Sequence, residues 1–231
     1  MIDFTRKQVL TFDCYGTLID WESGILSALR PILRAHSVEV PDESLLELYA
    51  GLESTEESGV YRPYAEILRE VMHGLGRRLG FEPTPTELTA LAASVGEWPA
   101  FSDTSAALQA LKQRFKLGII SNIDDDLFAA SNRHLGVTFD WVITARQVRS
   151  YKPSTHNFQV AIERIGLPPD RLVHVAQSLF HDHVPAKSLE LDTVWVNRRA
   201  GKPGAGATPP ATAQPDLEVP DLQTFATIAC A

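Results

Sequence analysis

The stretch from Val9 to Leu18 constrains the fold more than any other part of the sequence. It begins as an apolar, β-prone run, ends that run at Asp13, and continues through Gly16, which permits a tight backbone path. Open parallel α/β sheets bind ligands at the carboxyl ends of their strands. The stretch therefore predicts a buried first strand that presents Asp13 at a ligand site. An Asp at a strand end can also simply cap the next turn.

The composition limits the class of protein. Of 231 residues, 44% are hydrophobic and 22% are charged, as in ordinary globular proteins. The net charge of −8 argues against a nucleic-acid or membrane partner, and no apolar run approaches the roughly 18 residues of a membrane span. The first seven residues lack the apolar core of a secretory signal, and the only cysteines are Cys14 and Cys230. We therefore expect a cytoplasmic protein.

The rest of the chain divides into a helical block and an alternating block. Apolar residues recur at helical spacing through residues 20–99, where no strand signal occurs. Afterwards helices alternate with apolar strand candidates, which are residues 117–120, 141–143, 172–176 and 193–196. A loop rich in Gly, Pro and Ala then precedes an edge strand near 216–219 and a closing helix at 222–228.

These patterns predict an α/β fold. Apolar strands separated by helices indicate a doubly wound, Rossmann-like parallel sheet that is covered on both faces. The first strand belongs with the later strands, so residues 1–19 and 100–231 are expected to form the core. Residues 20–99 are expected to form an inserted, all-helical cap domain.

Two shorter patterns make local predictions. Thr84, Pro85 and Glu87 form a capping box with proline in the first helical turn. The acidic run 124–126 could suggest a metal site, but acidic residues are common in a first helical turn, and we favour the helix start.

Polar residues stand at strand ends or helix starts that this topology would place along one edge of the sheet. They are Asp13, Ser121, Lys152, Ser178 and Asp182. In this order they resemble the motifs of the haloacid dehalogenase-like superfamily of hydrolases, over nearly the whole chain. The match is strong for Asp-Cys-Tyr-Gly-Thr-Leu, clear for Ile-Ile-Ser-Asn and Tyr-Lys-Pro, and looser for residues 175–182.

The resemblance implies that Asp13 is a nucleophile that forms a covalent ester or acyl phosphate with the substrate. An ionised carboxylate aimed at an anionic substrate needs a positive neighbour, and Lys152 would supply it. Thr17 and Ser121 would hydrogen-bond substrate oxygens or the nucleophile.

The remaining motif residues have supporting parts in this scheme. Asn122 would help to line the pocket. Asp182, beside Ser178, would orient Lys152 or the water that hydrolyses the intermediate. Taken singly, Lys152 could be a solvated loop lysine, and Ser121 and Ser178 could be helix caps.

Two positions bear on the branch of the superfamily. Phosphatases of this type carry a second Asp two residues after the nucleophile to protonate an alkoxide leaving group, and this chain has Tyr15 there. A halide leaves without a proton, so the change fits carbon–halogen cleavage. Phosphatases also hold Mg²⁺ with an acidic pair in the fourth motif, where this chain has Gln177. The pattern resembles the metal-free L-2-haloacid dehalogenases, which implies that no cofactor is needed.

The match to those dehalogenases has departures. Their fourth motif usually has an Asn that positions the hydrolytic water, and this chain has Leu179. Their aromatic pocket residue is replaced by His181, which could activate that water instead, and a tyrosine after the lysine is replaced by Phe158.

The cap should close over the nucleophile, exclude water and supply specificity. Dehalogenases of this type hold the halide and substrate with a cap arginine and aromatic residues. The candidates here are Trp21, Tyr61, Arg62 and Tyr64. Apolar helical inserts also make a homodimer plausible, although the sequence reveals no exposed patch.

The leading hypothesis is a hydrolase of small 2-haloalkanoic acids that works through an aspartyl ester on Asp13. One alternative is a Mg²⁺-dependent phosphatase of a small metabolite, and another keeps the nucleophile but opens a small strained ring. Gln177 and Leu179 motivate a third alternative, a catalytically silent binding protein that keeps the fold.

Overall fold

One parallel sheet organises the molecule, whose computed structural model describes residues 2–231. Within these residues its six strands are β1 (Val9–Phe12), β2 (Lys116–Ser121), β3 (Trp141–Thr144), β4 (Leu172–Ala176), β5 (Asp192–Val196) and β6 (Leu217–Val219). They lie in the order β3-β2-β1-β4-β5-β6, and all neighbouring pairs are parallel. The first strand lies between strands from the later block, as predicted.

Helices surround this sheet. They are α1 (Trp21–Ala35), α2 (Asp42–Glu57), α3 (Tyr64–Leu79), α4 (Ala90–Ser94), α5 (Thr104–Lys112), α6 (Asp125–Asn132), α7 (Ala145–Val148), α8 (Thr155–Ile165), α9 (Val184–Ser188) and α10 (Leu222–Ala229). The α/β class and the helical insertion after the first strand are confirmed. Among the described residues, no helix has the length and apolar character to cross a bilayer.

Helices α1 to α4 form the cap, and each of them buries apolar side chains. Tyr49, Ile67, Leu75 and Leu91 are fully buried in the same cluster as the strands of the sheet. At full burial, such side chains stabilise the folded state by roughly 1.5–3 kcal/mol each. The cap is therefore packed onto the core, while its residue bounds, 20 and 99, stay predictions.

The two chain segments that join the cap to the core run side by side. The amide of Asp20 donates to the Pro99 carbonyl at 2.7 Å, and the amide of Phe101 donates to the Leu18 carbonyl at 3.1 Å. An antiparallel bridge joins Ile19 to Ala100 between them. This pairing holds both connections at the carboxyl end of β1, beside the predicted nucleophile.

Two local sequence predictions concern helix starts, the capping box at residues 84–87 and the acidic run at residues 124–126. Thr84 and Glu87 exchange hydrogen bonds, the Thr84 amide with Glu87 Oε2 at 2.8 Å and the Glu87 amide with Thr84 Oγ1 at 3.3 Å, which confirms the capping box. The acidic run lies at a helix start, as predicted: Asp124 is the N-cap of α6, and Asp125 and Asp126 lie in its first turn. Asp124 also accepts from the Ala65 amide, and Asp125 accepts from Thr144. In residues 2–231 no three His, Cys, Asp or Glu side chains are placed to hold a metal ion.

The segment after β5, residues 198–208, contacts the cap. Arg199 pairs with Glu22 of α1 at 2.6 Å and with Glu43 of α2 at 2.8 Å. The Ala207 amide donates to Glu22 Oε1 at 3.1 Å, and Thr208 Oγ1 donates to Gln177 Oε1 at 3.3 Å. These contacts, which we call the clasp, fasten the first two cap helices to the core.

Candidate active site

The turn after β1 positions Asp13 at the carboxyl edge of the sheet. The Asp13 amide donates to the Val175 carbonyl of β4 at 3.1 Å, so the backbone remains in register beyond the strand. Gly16 has φ +89°, and a Cβ there would lie 2.9 Å from the Trp21 indole nitrogen. Glycine is therefore required at this turn, which brings Thr17 back to donate to Asp13 Oδ2 at 2.7 Å.

Lys152 bridges two carboxylates that come from different strands. Its Nζ donates to Asp13 Oδ1 at 2.9 Å, to Asp182 Oδ1 at 2.6 Å and to the Ile120 carbonyl at 2.9 Å. The lysine is 1% exposed. A buried ammonium is tolerated only when it is paired and fully hydrogen-bonded, and these three acceptors satisfy it.

The charges of this triad reinforce one another. Burial raises the pKa of Asp13 above its ordinary value, while the ammonium of Lys152 and the hydroxyl of Thr17 favour the ionised form. Burial alone would lower the pKa of Lys152, but Asp13 and Asp182 raise it. Against the effect of burial, Lys152 and a hydrogen bond from His174 hold the pKa of Asp182 below its usual range. The triad thus keeps one cation between two carboxylates.

Ser178 starts a short π-helix that carries the fourth motif, Leu179–His183. Its Oγ accepts from the His181 amide at 2.9 Å and lies 3.2 Å from His181 Nδ1. Burial lowers the pKa of His181 to about 4, so its imidazole is neutral at pH 7. Ser178 therefore fixes the helix start and the side-chain orientation of His181.

A small cavity of about 30 Å³ lies over Asp13. Its walls combine residues from the first motif, the later motifs and the cap, which are Asp13, Tyr15, Trp21, Glu53, Glu57, Asn122, Lys152, Ser178, His181, Asp182 and Thr208. A cleft of about 410 Å³ shares Glu57, Lys152 and His181 with this cavity. The cleft therefore adjoins the cavity over Asp13.

The cavity includes most of the predicted site residues, but Thr17, Ser121 and Arg62 do not line it. Ser121 is buried at the end of β2, and its hydroxyl meets no partner within the described chain. Arg62 pairs with Glu56 of the cap and does not line the cavity over Asp13. The structure thus places Arg62 in an ion pair within the cap, and its role in holding a halide stays a prediction.

Tyr15 and Asn122 line the cavity and are held by neighbours. The Tyr15 hydroxyl donates to Ser131 Oγ at 2.9 Å, and burial raises the pKa of the phenol well above its usual value. Asn122 Nδ2 donates to the Lys152 carbonyl at 3.0 Å, and its Oδ1 accepts from the Lys152 amide at 2.7 Å. Tyr15 is thus a poor proton donor, while Asn122 holds the backbone of the lysine.

The cap contributes two glutamates that the sequence analysis missed. Glu53 accepts hydrogen bonds from the hydroxyls of Tyr49 and Tyr64, and Glu57 Oε2 accepts from Asn122 Nδ2 at 3.1 Å. Burial raises the pKa of Glu53 to about 7 and that of Glu57 well above its usual value. Their spacing from Tyr49, at steps of four residues, places both on the buried face of α2, which was the available signal.

Comparisons with known proteins bear on this geometry. The sequence model of the haloacid dehalogenase-like hydrolase family matches residues 7–176, from β1 to the end of β4. The chain belongs to this hydrolase family. The match spans the nucleophile turn, the whole cap and the lysine of the triad.

Relatives and solved structures agree with this membership. The hydrolase is 28% identical to (S)-2-haloacid dehalogenase H-109 of Pseudomonas putida, over 87% of this chain and 90% of the relative. The structure of a defluorinating L-2-haloacid dehalogenase is 23% identical, with a TM-score of 0.82, over 97% and 96% of the two chains. That of the HAD hydrolase YfnB from Bacillus subtilis, bound to magnesium, is 19% identical, with a TM-score of 0.79, over 98% and 100%. Both structural likenesses concern the fold.

The residues around Asp13 offer few free oxygen ligands for Mg²⁺, and independence of a cofactor stays a prediction. Lys152 Nζ lies between Asp13 and Asp182, where a cation shared by the two carboxylates would lie. Both Asp13 oxygens are already hydrogen-bonded, and Gln177 stands where a second acidic ligand would be expected. The positive charge at this site is supplied by the lysine itself.

Proposed function

We propose that this hydrolase cleaves the carbon–halogen bond of small 2-haloalkanoic acids through an ester on Asp13, without a cofactor. The observation that carries the proposal is the buried bridge from Lys152 to Asp13 and Asp182. It presents a desolvated carboxylate next to a fixed positive charge in a small cavity. The 2-haloacid dehalogenase relatives support the same reaction type.

In the first step, an oxygen of Asp13 attacks the carbon that bears the halogen. The carbon–oxygen bond forms as the carbon–halogen bond breaks, and the halide leaves with the electron pair. Because Asp13 attacks from the side opposite the halogen, the configuration at that carbon is inverted. Thr17 and Lys152 orient the attacking carboxylate through the hydrogen bonds at 2.7 and 2.9 Å. Lys152 also provides positive charge near the substrate carboxylate.

In the second step, water attacks the carbonyl carbon of the Asp13 ester and loses a proton to Asp182. The carbon–oxygen bond to the Asp13 carbonyl breaks, and the departing alkoxide takes the proton from Asp182 to give a 2-hydroxy acid. The proton left on Asp13 passes to solvent. Asp182 is ionised beside Lys152, and its oxygen Oδ2, which meets no donor within residues 2–231, is the atom that accepts this proton.

Tyr15 favours a halide over an alkoxide leaving group in the first step. An alkoxide needs a proton, and the phenol at this position is bonded to Ser131 and has a raised pKa. A halide departs as a stable anion, so the same side chain is no obstacle to dehalogenation.

Halide release tests the proposal directly. Purified enzyme should release halide from chloroacetate and 2-chloropropionate at equal rates with EDTA and with added Mg²⁺. A parallel assay measures phosphate release from small phosphate esters with Mg²⁺. Phosphate release without halide release would contradict the proposal and establish the phosphatase alternative.

The cap glutamates predict a pH dependence. Because the pKa of Glu53 is raised to about 7, its carboxyl is neutral below that pH and negative above it. A negative charge in the cavity repels a substrate carboxylate, so kcat/KM should fall about 10-fold between roughly pH 6 and pH 8. Glu53→Gln, which keeps the oxygen that accepts from both tyrosines, should abolish most of this fall.

The control for this prediction is Glu66→Gln, which removes an exposed carboxylate from α3 of the same cap. Its pH profile should match that of the wild type. A Glu53→Gln profile that fell like the wild type would show that Glu53 does not ionise in this range or does not face the substrate.

A further inference from the structure

A histidine lies inside the sheet, behind the catalytic triad. His174 is in the middle of β4, between Thr11 of β1 and Thr193 of β5, and is fully buried. Its Nδ1 lies 2.9 Å from Thr11 Oγ1, and its Nε2 lies 2.9 Å from Asp182 Oδ1. Burying an imidazole is costly unless its nitrogens are hydrogen-bonded, and both have partners here.

The histidine determines how Asp182 is held. Since Asp182 is ionised and can only accept, the Nε2–H of His174 must donate to it. Lys152 donates to the same oxygen, Oδ1, at 2.6 Å. The other oxygen, Oδ2, is buried and meets no donor within residues 2–231. Because Lys152 and His174 both donate to Oδ1, Oδ2 remains available to accept a proton from another donor.

We propose that His174 is a positioning residue for hydrolysis of the ester intermediate. By holding Oδ1, it keeps Oδ2 of Asp182 available to the water that attacks Asp13. This inference rests on the proposed function and concerns its second step. The first step depends on Asp13, Thr17 and Lys152, and none of the hydrogen bonds of His174 involves them.

The two steps can be separated by rapid quench with 2-chloropropionate. His174→Leu should release the first equivalent of chloride at close to the wild-type rate, because step one is untouched. Steady-state turnover should fall about 10- to 100-fold, because a misaligned base loses part of its contribution. The ester on Asp13 should then accumulate and be visible as an intact-mass adduct.

His174→Gln provides the rescue, because its side-chain amide can donate to Asp182 from a position similar to Nε2. Turnover of this variant should recover much of the loss seen with leucine. Thr11→Val tests the other end of the network without altering the histidine and should lower turnover with an unchanged chloride burst. Its matched control is Thr193→Val, at the other cross-strand neighbour, whose hydroxyl meets no partner in the described chain.

The outcomes are distinct. Wild-type turnover in His174→Leu would overturn the inference. So would an equal fall in burst and turnover that glutamine does not rescue, because this is the result of a purely structural role. If His174→Leu does not fold, equal bursts and turnovers in Thr11→Val and Thr193→Val would overturn it. A wild-type enzyme that releases no halide would instead overturn the proposed function, and this inference with it.

Discussion

Replacing Asp13 by Asn should abolish halide release and leave the fold intact. Asparagine has the size of the carboxylate and can still accept from Lys152, so the hydrogen-bonded surroundings of Asp13 are preserved. It lacks the charge and nucleophilicity of a carboxylate, and the covalent route is closed. Halide release from 2-chloropropionate should fall by at least about 10⁴-fold. The wild type, quenched during turnover, should carry a mass adduct that Asp13→Asn lacks.

Asp126→Asn is the control for this variant. It removes an exposed carboxylate from α6, and its halide release should equal that of the wild type. Retention of activity within tenfold by Asp13→Asn would mean that another group attacks the substrate.

Replacing Lys152 by Met should damage both activity and stability. Methionine keeps much of the length of the side chain but leaves two buried carboxylates without their shared cation. Removing one partner of a buried ion pair costs roughly 3–5 kcal/mol of unfolding free energy. Halide release should fall by roughly 10³-fold, since the fixed charge that orients the nucleophile and attracts the substrate is lost. Urea denaturation and halide assays measure the two effects.

A second substitution separates charge repulsion from lost packing. Lys152→Met combined with Asp182→Asn leaves only one carboxylate, Asp13, without its cation, so part of the lost unfolding free energy should return while activity stays low. Lys116→Met, at the exposed start of β2, should leave both quantities close to the wild type. Full stability in Lys152→Met alone would contradict the ion-pair account.

Much of the fold and part of the candidate site could be predicted from the sequence. Asp13, Ser178 and Asp182 follow apolar strands, and parallel strands present their carboxyl ends at one edge of a sheet. That rule requires no knowledge of distant contacts. It therefore predicted which side chains converge, while their roles in the reaction stay predictions.

The contacts between cap and core could not be predicted in the same way. Sequence periodicity places Glu53 on the buried face of α2, but which part of the core that face covers depends on long-range packing. The charge of Arg62 and its position in the cap sequence predict a substrate contact, whereas its partner in the structure is Glu56 of the same cap. His174 lies within an apolar strand, where only three-dimensional proximity reveals Thr11 and Asp182 as its neighbours.

The clasp connects residues in the C-terminal part of the chain with the rate of turnover. If the cap opens between turnovers, the ion pairs of Arg199 with Glu22 and Glu43 must break and re-form in each cycle. Ion pairs at a partly exposed seam weaken as salt is added. Ionic strength would then alter the rate of product escape without changing the chemistry at Asp13. Sequence changes in residues 198–208 would thus offer a route to altered turnover that leaves every reacting group in place.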